Sequence, residues 1–129
     1  MSVAAFDIRI PQLLLTRIVQ GTGTAFVSLG TAHLAGALIL EVKATNNGVA
    51  SHDVEVAVLV SGVSYVVGSV AVPAAAGFAG TPPVFFSTTL VSPAVGGWLL
   101  SPTAVLQVRV TVAMGAGENM DIVAAGGPF

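Results

Sequence analysis

Val54–Val72 reads VEVAVLVSGVSYVVGSVAV and carries a single charge, Glu55. No acidic or basic residue follows it until Arg109. A membrane-spanning helix needs about 20 apolar residues with few interruptions. Here Ser61, Gly62, Ser64, Gly68 and Ser69 break the run, and its valines favour strands. Val54, Val56, Val58 and Val60 alternate with Glu55, Ala57 and Leu59, the period of a pleated strand. Beyond Ser61-Gly62 the period continues. Val63, Tyr65, Val67 and Ser69 fall on one side, and Ser64, Val66, Gly68, Val70 and Val72 on the other. Neither side is polar, so the pair of strands is expected to be covered on both faces, by its own core or by a neighbour.

The same alternation runs outward in both directions. In Leu38–Thr45, Leu38, Leu40, Val42 and Ala44 share one face and Ile39, Glu41, Lys43 and Thr45 the other. In Leu106–Met114, Val108, Val110, Val112 and Met114 oppose Gln107, Arg109, Thr111 and Ala113. Strong breakers separate these runs: Asn46-Asn47-Gly48, Ser61-Gly62, the segment Pro73–Pro83, Pro93, Gly96-Gly97, Pro102 and Gly115–Gly117. Short alternating runs with turn residues at such spacing predict an all-β protein, a two-sheet antiparallel β-sandwich of jelly-roll type with about eight strands. They fall near 5–10, 13–19, 24–29, 37–45, 52–60, 63–72, 84–91 and 105–114, with a short last one near 120–124. Asn46-Asn47-Gly48 is expected to turn one strand into its hairpin partner, bringing Glu41 and Lys43 near Asp53 and Glu55. An exposed ion pair there would contribute under about 1 kcal/mol.

The chain of 129 residues is expected to form a single domain, 1–129, with residues 1–12 able to act as an arm on a neighbouring subunit. Charged residues make up 8% of it, against about 25% in ordinary globular domains. A small domain has proportionally more surface than a large one, so this shortage implies that part of the surface is covered in the working state. Arg9, Arg17, Lys43 and Arg109 are scattered and the formal charge is −2, which argues against direct contact with nucleic acid. The alternation would also suit a membrane β-barrel. Such barrels, however, carry girdles of Tyr and Trp, whereas Tyr65 and Trp98 are single here. MSVAAFDIRIPQ places Asp7 and Arg9 where a signal peptide needs an apolar stretch, so synthesis in the cytoplasm without export is expected.

No catalytic constellation stands out. With no cysteine, neither disulfides nor thiolate metal sites can form. His52 and Asp53 are adjacent on a strand and point to opposite faces, and His33 adds no spacing that implies a third metal ligand. No G-x-S-x-G elbow is present for a Ser-His-Asp mechanism. Gly21-Thr22-Gly23-Thr24 and Gly115-Ala116-Gly117 lack the rest of a phosphate-loop fingerprint and read as turns. Glu118 and Asp121 flank the last strand and read as solvated carboxylates. The expectation is a protein that is not an enzyme, with no catalytic, metal or cofactor residues. The candidate interaction residues are Val66 and Val70 on the apolar strand, Phe78 in the Ala/Gly/Pro-rich loop, and Trp98.

The closing run Val108–Phe129, VRVTVAMGAGENMDIVAAGGPF, has a long strand, a Gly-rich turn with a polar residue and a short strand ending in glycines and an aromatic. Together with the cysteine-free, low-charge, Ala/Val/Gly/Thr-rich composition, it resembles the small structural proteins of tailed-bacteriophage virions, such as head-decoration and minor head proteins. That resemblance implies a β-sandwich that forms a homo-oligomer, often a trimer, and sits in the virion against other proteins such as a major capsid protein. The low charge departs from proteins that cover a capsid exterior. It keeps open an alternative role as a tail- or fibre-associated binding module whose loops Gly77–Pro83 and Ser92–Trp98 contact a carbohydrate or receptor.

Overall fold

The computed structural model describes residues 12–32, 36–86 and 98–128. Among them are nine strands and one short 3₁₀ turn at Gln20–Thr22. The strands are β1 (Gln12–Ile18), β2 (Val27–Thr31), β3 (Ala37–Asn46), β4 (His52–Val60), β5 (Val63–Val72), β6 (Val84–Phe85), β7 (Trp98–Leu100), β8 (Val105–Val110) and β9 (Met120–Pro128). They form two antiparallel sheets. One has the order β1-β9-β3-β6, with β7 also pairing β3; the other has the order β2-β8-β4-β5. The protein is a two-sheet antiparallel β-sandwich. Among the described residues, no helix is long and apolar enough to cross a membrane.

The core lies between the sheets. Ile18, Ile39, Val42 and Ile122 of the first meet Val54, Val56, Leu106 and Val108 of the second, and Phe86 is enclosed with them. Burying side chains of this size contributes about 1.5–3 kcal/mol each. Alternation supplies most of these residues. In β4, Val54 and Val56 face in while Asp53 and Glu55 face out, and in β8 Leu106, Val108 and Val110 face in.

Two irregularities overturn the simple parity. The register of β3 on β9 shifts between Ile39 and Glu41, leaving Leu40 as the extra residue of a bulge. Ile39 therefore enters the core and Leu40 is exposed, the reverse of the alternation read from Leu38. Val42 and Ala44 face inward as expected. Opposite this bulge only glycine is possible: a Cβ on Gly126 would overlap the carbonyl oxygen of Leu38. In β5 the register shifts so that Val56 opposes Gly68 and Ala57 opposes Val66, leaving Val67 unpaired. Val70 and Val66, expected on one side, thus lie on opposite sides.

Asn46-Asn47-Gly48 is not a hairpin. β3 and β4 belong to different sheets, so the turn crosses from one layer to the other. Asn46 is fully buried and acts as a strut: its Oδ1 accepts from the Gly48 N–H (2.9 Å) and its Nδ2 donates to the Ala50 carbonyl (2.9 Å). The expected pairing of Glu41 and Lys43 with Asp53 and Glu55 is replaced by two cross-strand pairs within sheets. Arg109 Nε donates to Glu55 (2.6 Å), and Arg17 grips Asp121 through Nε and Nη2 (2.6 and 2.9 Å).

The strands expected near 13–19, 24–29, 37–45, 52–60 and 63–72 are present within a few residues of those bounds. The last strand is longer than expected, and β8 ends at Val110 instead of continuing to Met114. β7 was not anticipated, because it is three residues between Gly96-Gly97 and Ser101-Pro102. The expected strand 5–10, the arm up to Pro11, His33 and most of the expected strand 84–91 lie outside the described residues.

Candidate interaction surface

The β4–β5 hairpin ends in a cluster of bare apolar side chains. Val60, Val63, Tyr65, Val66 and Val67 are all exposed, so neither face of this end is covered. β5 is the last strand of its sheet, and among the described residues nothing pairs with its outer edge. That edge is ten residues long and contains no charge and no proline, the two usual blunting devices; its one irregularity is the bulge at Val67. Two polar contacts lie on the outer face of this sheet. Ser64 Oγ donates to Gln107 Oε1 (2.8 Å), and the Arg109 guanidinium sits 4.6 Å above the Phe26 ring.

The four residues singled out from the sequence separate here. Val66 is 52% exposed and sits on the outer side opposite Ala57. Val70 turns inward and packs against the core. Phe78 is half-exposed in a succession of tight turns: its N–H donates to the Ala75 carbonyl (2.8 Å) and its carbonyl accepts from Thr81 N–H (2.9 Å). Gly77, at φ +85°, holds this loop against Thr45, whose Cγ2 lies 2.6 Å from where a Cβ would stand. The loop is thus pinned to β3 and not long and free. The backbone of Trp98 pairs with Ile39 in the five-stranded sheet; its side chain, like Ser92–Gly97, lies outside the described residues. Tyr65 is in the other sheet, so no single sheet carries both aromatics.

The opposite end of β4 holds a polar knot that alternation and composition did not reveal. Glu118, read as a solvated carboxylate, accepts from the Gly115 N–H (2.7 Å) with Oε1 and from the Val49 N–H (2.8 Å) with Oε2. These bonds, Gly115's first and then Val49's, with His52 adding to them, hold its carboxyl below the ordinary carboxylate range. A Cβ on Gly48 or on Gly115 would run into that carboxylate, which is the physical reason for both glycines. Asn47 and Asn119 exchange two bonds beside it: Asn119 N–H donates to Asn47 Oδ1 (2.6 Å) and Asn47 N–H to the Asn119 carbonyl (3.1 Å). The signal in the sequence was the paired glycines flanking polar residues, in NNG and GAGEN.

His52 is buried in this knot. Its Nδ1 lies 3.1 Å from the Val112 carbonyl, which assigns the proton to Nδ1. Nε2 has no hydrogen-bond partner and stands 3.9 Å from Glu118 Oε1. Asp53 points the other way into solvent, as adjacent strand residues must. Glu118 and Asp121 do not combine, since Asp121 is held by Arg17. Among the described residues no three His, Asp or Glu side chains gather as metal ligands. The Gly21 and Gly115 segments are turns, and neither opens a helix that would hold phosphate. What this end does chemically is tie three loops together.

No family model matches the chain, and no curated protein matches it significantly.

Proposed function

We propose that the protein is a non-enzymatic structural component of a virion, a capsid decoration or stabilising protein that acts as a homo-oligomer. The observation that carries this reading is the uncharged β5 edge with its exposed end Val60–Val67. Bare valines and an open sheet edge are costly in water and productive in an assembly, where each strand gains a partner. The viral setting and the favoured number, three, come from the resemblance of the closing run and overall composition to phage head-decoration proteins. A major capsid protein would be the further partner.

The test is the solution mass of the purified chain, measured by light scattering across a dilution series. A stable closed oligomer that Val66→Lys converts to monomer supports the reading. A monomeric wild-type chain overturns its self-association. A second reading, a tail- or fibre-associated module that binds a carbohydrate or receptor, draws on Phe78, which stands exposed on a pinned loop as a ligand-facing aromatic would. Binding of a panel of glycans that is lost in Phe78→Ala would favour it; no binding by the wild-type chain would remove it.

A further inference from the structure

Asn47-Gly48, at the crossing between the sheets, is a step prone to spontaneous covalent rearrangement. Of the chain's asparagines, Asn46 precedes Asn47, Asn119 precedes Met120, and only Asn47 precedes a glycine. In such a step the glycine nitrogen attacks the side-chain carbonyl carbon of asparagine, unhindered by a Cβ. The new N–Cγ bond closes a cyclic imide. The side-chain nitrogen leaves as ammonia, taking the proton of the glycine amide. Water then opens the imide at either carbonyl. One opening yields aspartate; the other yields isoaspartate, whose main chain runs through the former side chain and gains a carbon.

The polar knot engages both reacting groups. The Gly48 N–H is buried and donates to Asn46 Oδ1 (2.9 Å). The Asn47 side chain is exposed, yet its Oδ1 accepts from the Asn119 N–H (2.6 Å), and the Asn47 N–H donates to the Asn119 carbonyl (3.1 Å). The nitrogen and the carbon that must meet are thus held by different partners. Glu118 adds a charge, packed so closely on Gly48 that a Cβ there would overlap its Oε2. Attack requires the Gly48 amide to give up its proton. The negative nitrogen would then form beside a carboxylate that the Val49 and Gly115 N–H groups hold ionised, and like charges that close repel.

The same tightness acts on the product. Isoaspartate lengthens the main chain just before Gly48, where no space remains even for a methyl group. Gly48 would be displaced from Asn46 Oδ1, leaving a buried acceptor without its donor. Aspartate keeps both the ordinary backbone and an oxygen for Asn119. We infer that Asn47 is a deamidation site guarded by the knot: closed, the knot withholds the reaction, and an opening lets it run on to an isoaspartate that cannot close again. Native proteins open locally in this way, and here each opening that reacts leaves a covalent record. The inference concerns the single chain and does not depend on association or on a viral setting.

The test follows Asn47 by peptide mass spectrometry in the full-length protein, with Asn119 as the internal reference. Wild type is incubated folded and in denaturant at one mildly alkaline pH. The folded chain should convert several times more slowly than the denatured one, and Glu118→Gln faster than folded wild type. Equal rates in folded and denatured wild type would overturn the guard. A rate in Glu118→Gln equal to or below that of folded wild type would overturn it as well, since the carboxylate would then be no shield. Reacted wild type gives the second readout. Chains carrying isoaspartate should melt at a lower temperature than unreacted chains, whereas Asn47→Asp should melt close to them. Isoaspartate chains that melt together with unreacted ones would overturn the one-way opening.

Discussion

Strand β4 begins in a closed polar knot and ends in bare valines, and its two ends follow opposite physical rules. At the His52 end, most buried donors and acceptors have partners: Asn46, Gly48, Val49, Gly115, Glu118 and Asn119 are joined by short bonds. At the Val60 end there are almost no directional bonds, only apolar surface facing water. The first end is self-sufficient and determines how the chain crosses between sheets. The second leaves a strand edge unpaired and its valines bare, and the proposed association rests on that surface. On the proposed reading, stability and association are lodged at different ends of one strand.

The sharpest way to break this separation is at Asn46. Asn46→Ala removes three loop-closing contacts and leaves the buried Gly48 N–H without an acceptor, so it should cost about 2–4 kcal/mol by chemical denaturation. The oligomer formed by the remaining folded fraction should be unchanged. An altered mass at matched folded fraction would mean that the two ends are coupled.

Next in size is the contrast between Val66 and Val70. Val66→Lys should alter monomer stability by no more than about 0.5 kcal/mol while abolishing association. Val70→Lys, aimed at the core, should destabilise by about 1–3 kcal/mol and be read first in the melting curve. The reverse order of effects would mean that the bulge at Val67 does not invert the strand's sides.

A smaller effect concerns acid. Because the Glu118 carboxyl is held below its ordinary range in the fold, its contribution is present above that range and is lost as pH falls through the lowered value. Wild type should therefore lose stability on acidification more steeply than Glu118→Gln, whose denaturation midpoint should change less across the same interval. Parallel curves would assign acid sensitivity elsewhere. The smallest effect is expected from Arg109→Ala, which removes a partly exposed ion pair and a contact over Phe26. It should cost about 1 kcal/mol or less, with the ion-pair share shrinking in high salt.

How much of this was legible follows from which interactions are local. Alternation and breakers placed β3, β4 and β5 almost to the residue, because period-two burial and turn chemistry are written in neighbouring positions. The same alternation mis-assigned Leu40 and Val70, because a bulge inserts one residue and inverts everything beyond it. Asn46-Asn47-Gly48 reads locally as a hairpin turn. Its true role depends on Ala50 and Pro73, the latter 27 residues away, and no nearby pattern encodes that contact. Glu118 was hidden for the same reason, since its acceptor role needs Val49 from 69 residues earlier. Of the interaction residues, the exposure of Val66 and Phe78 agreed with their apolar character in a charge-poor chain, whereas the inward turn of Val70 needed the register.

The unpaired residue at Val67 has one further consequence. A flat, uncharged edge invites copy after copy to add without limit, the route to insoluble fibres. A bulge adds local twist and interrupts the row of donors and acceptors, so a straight incoming strand can match only one side of it. The same residue that sets Val66 and Val70 on opposite sides therefore works against open-ended growth along this edge.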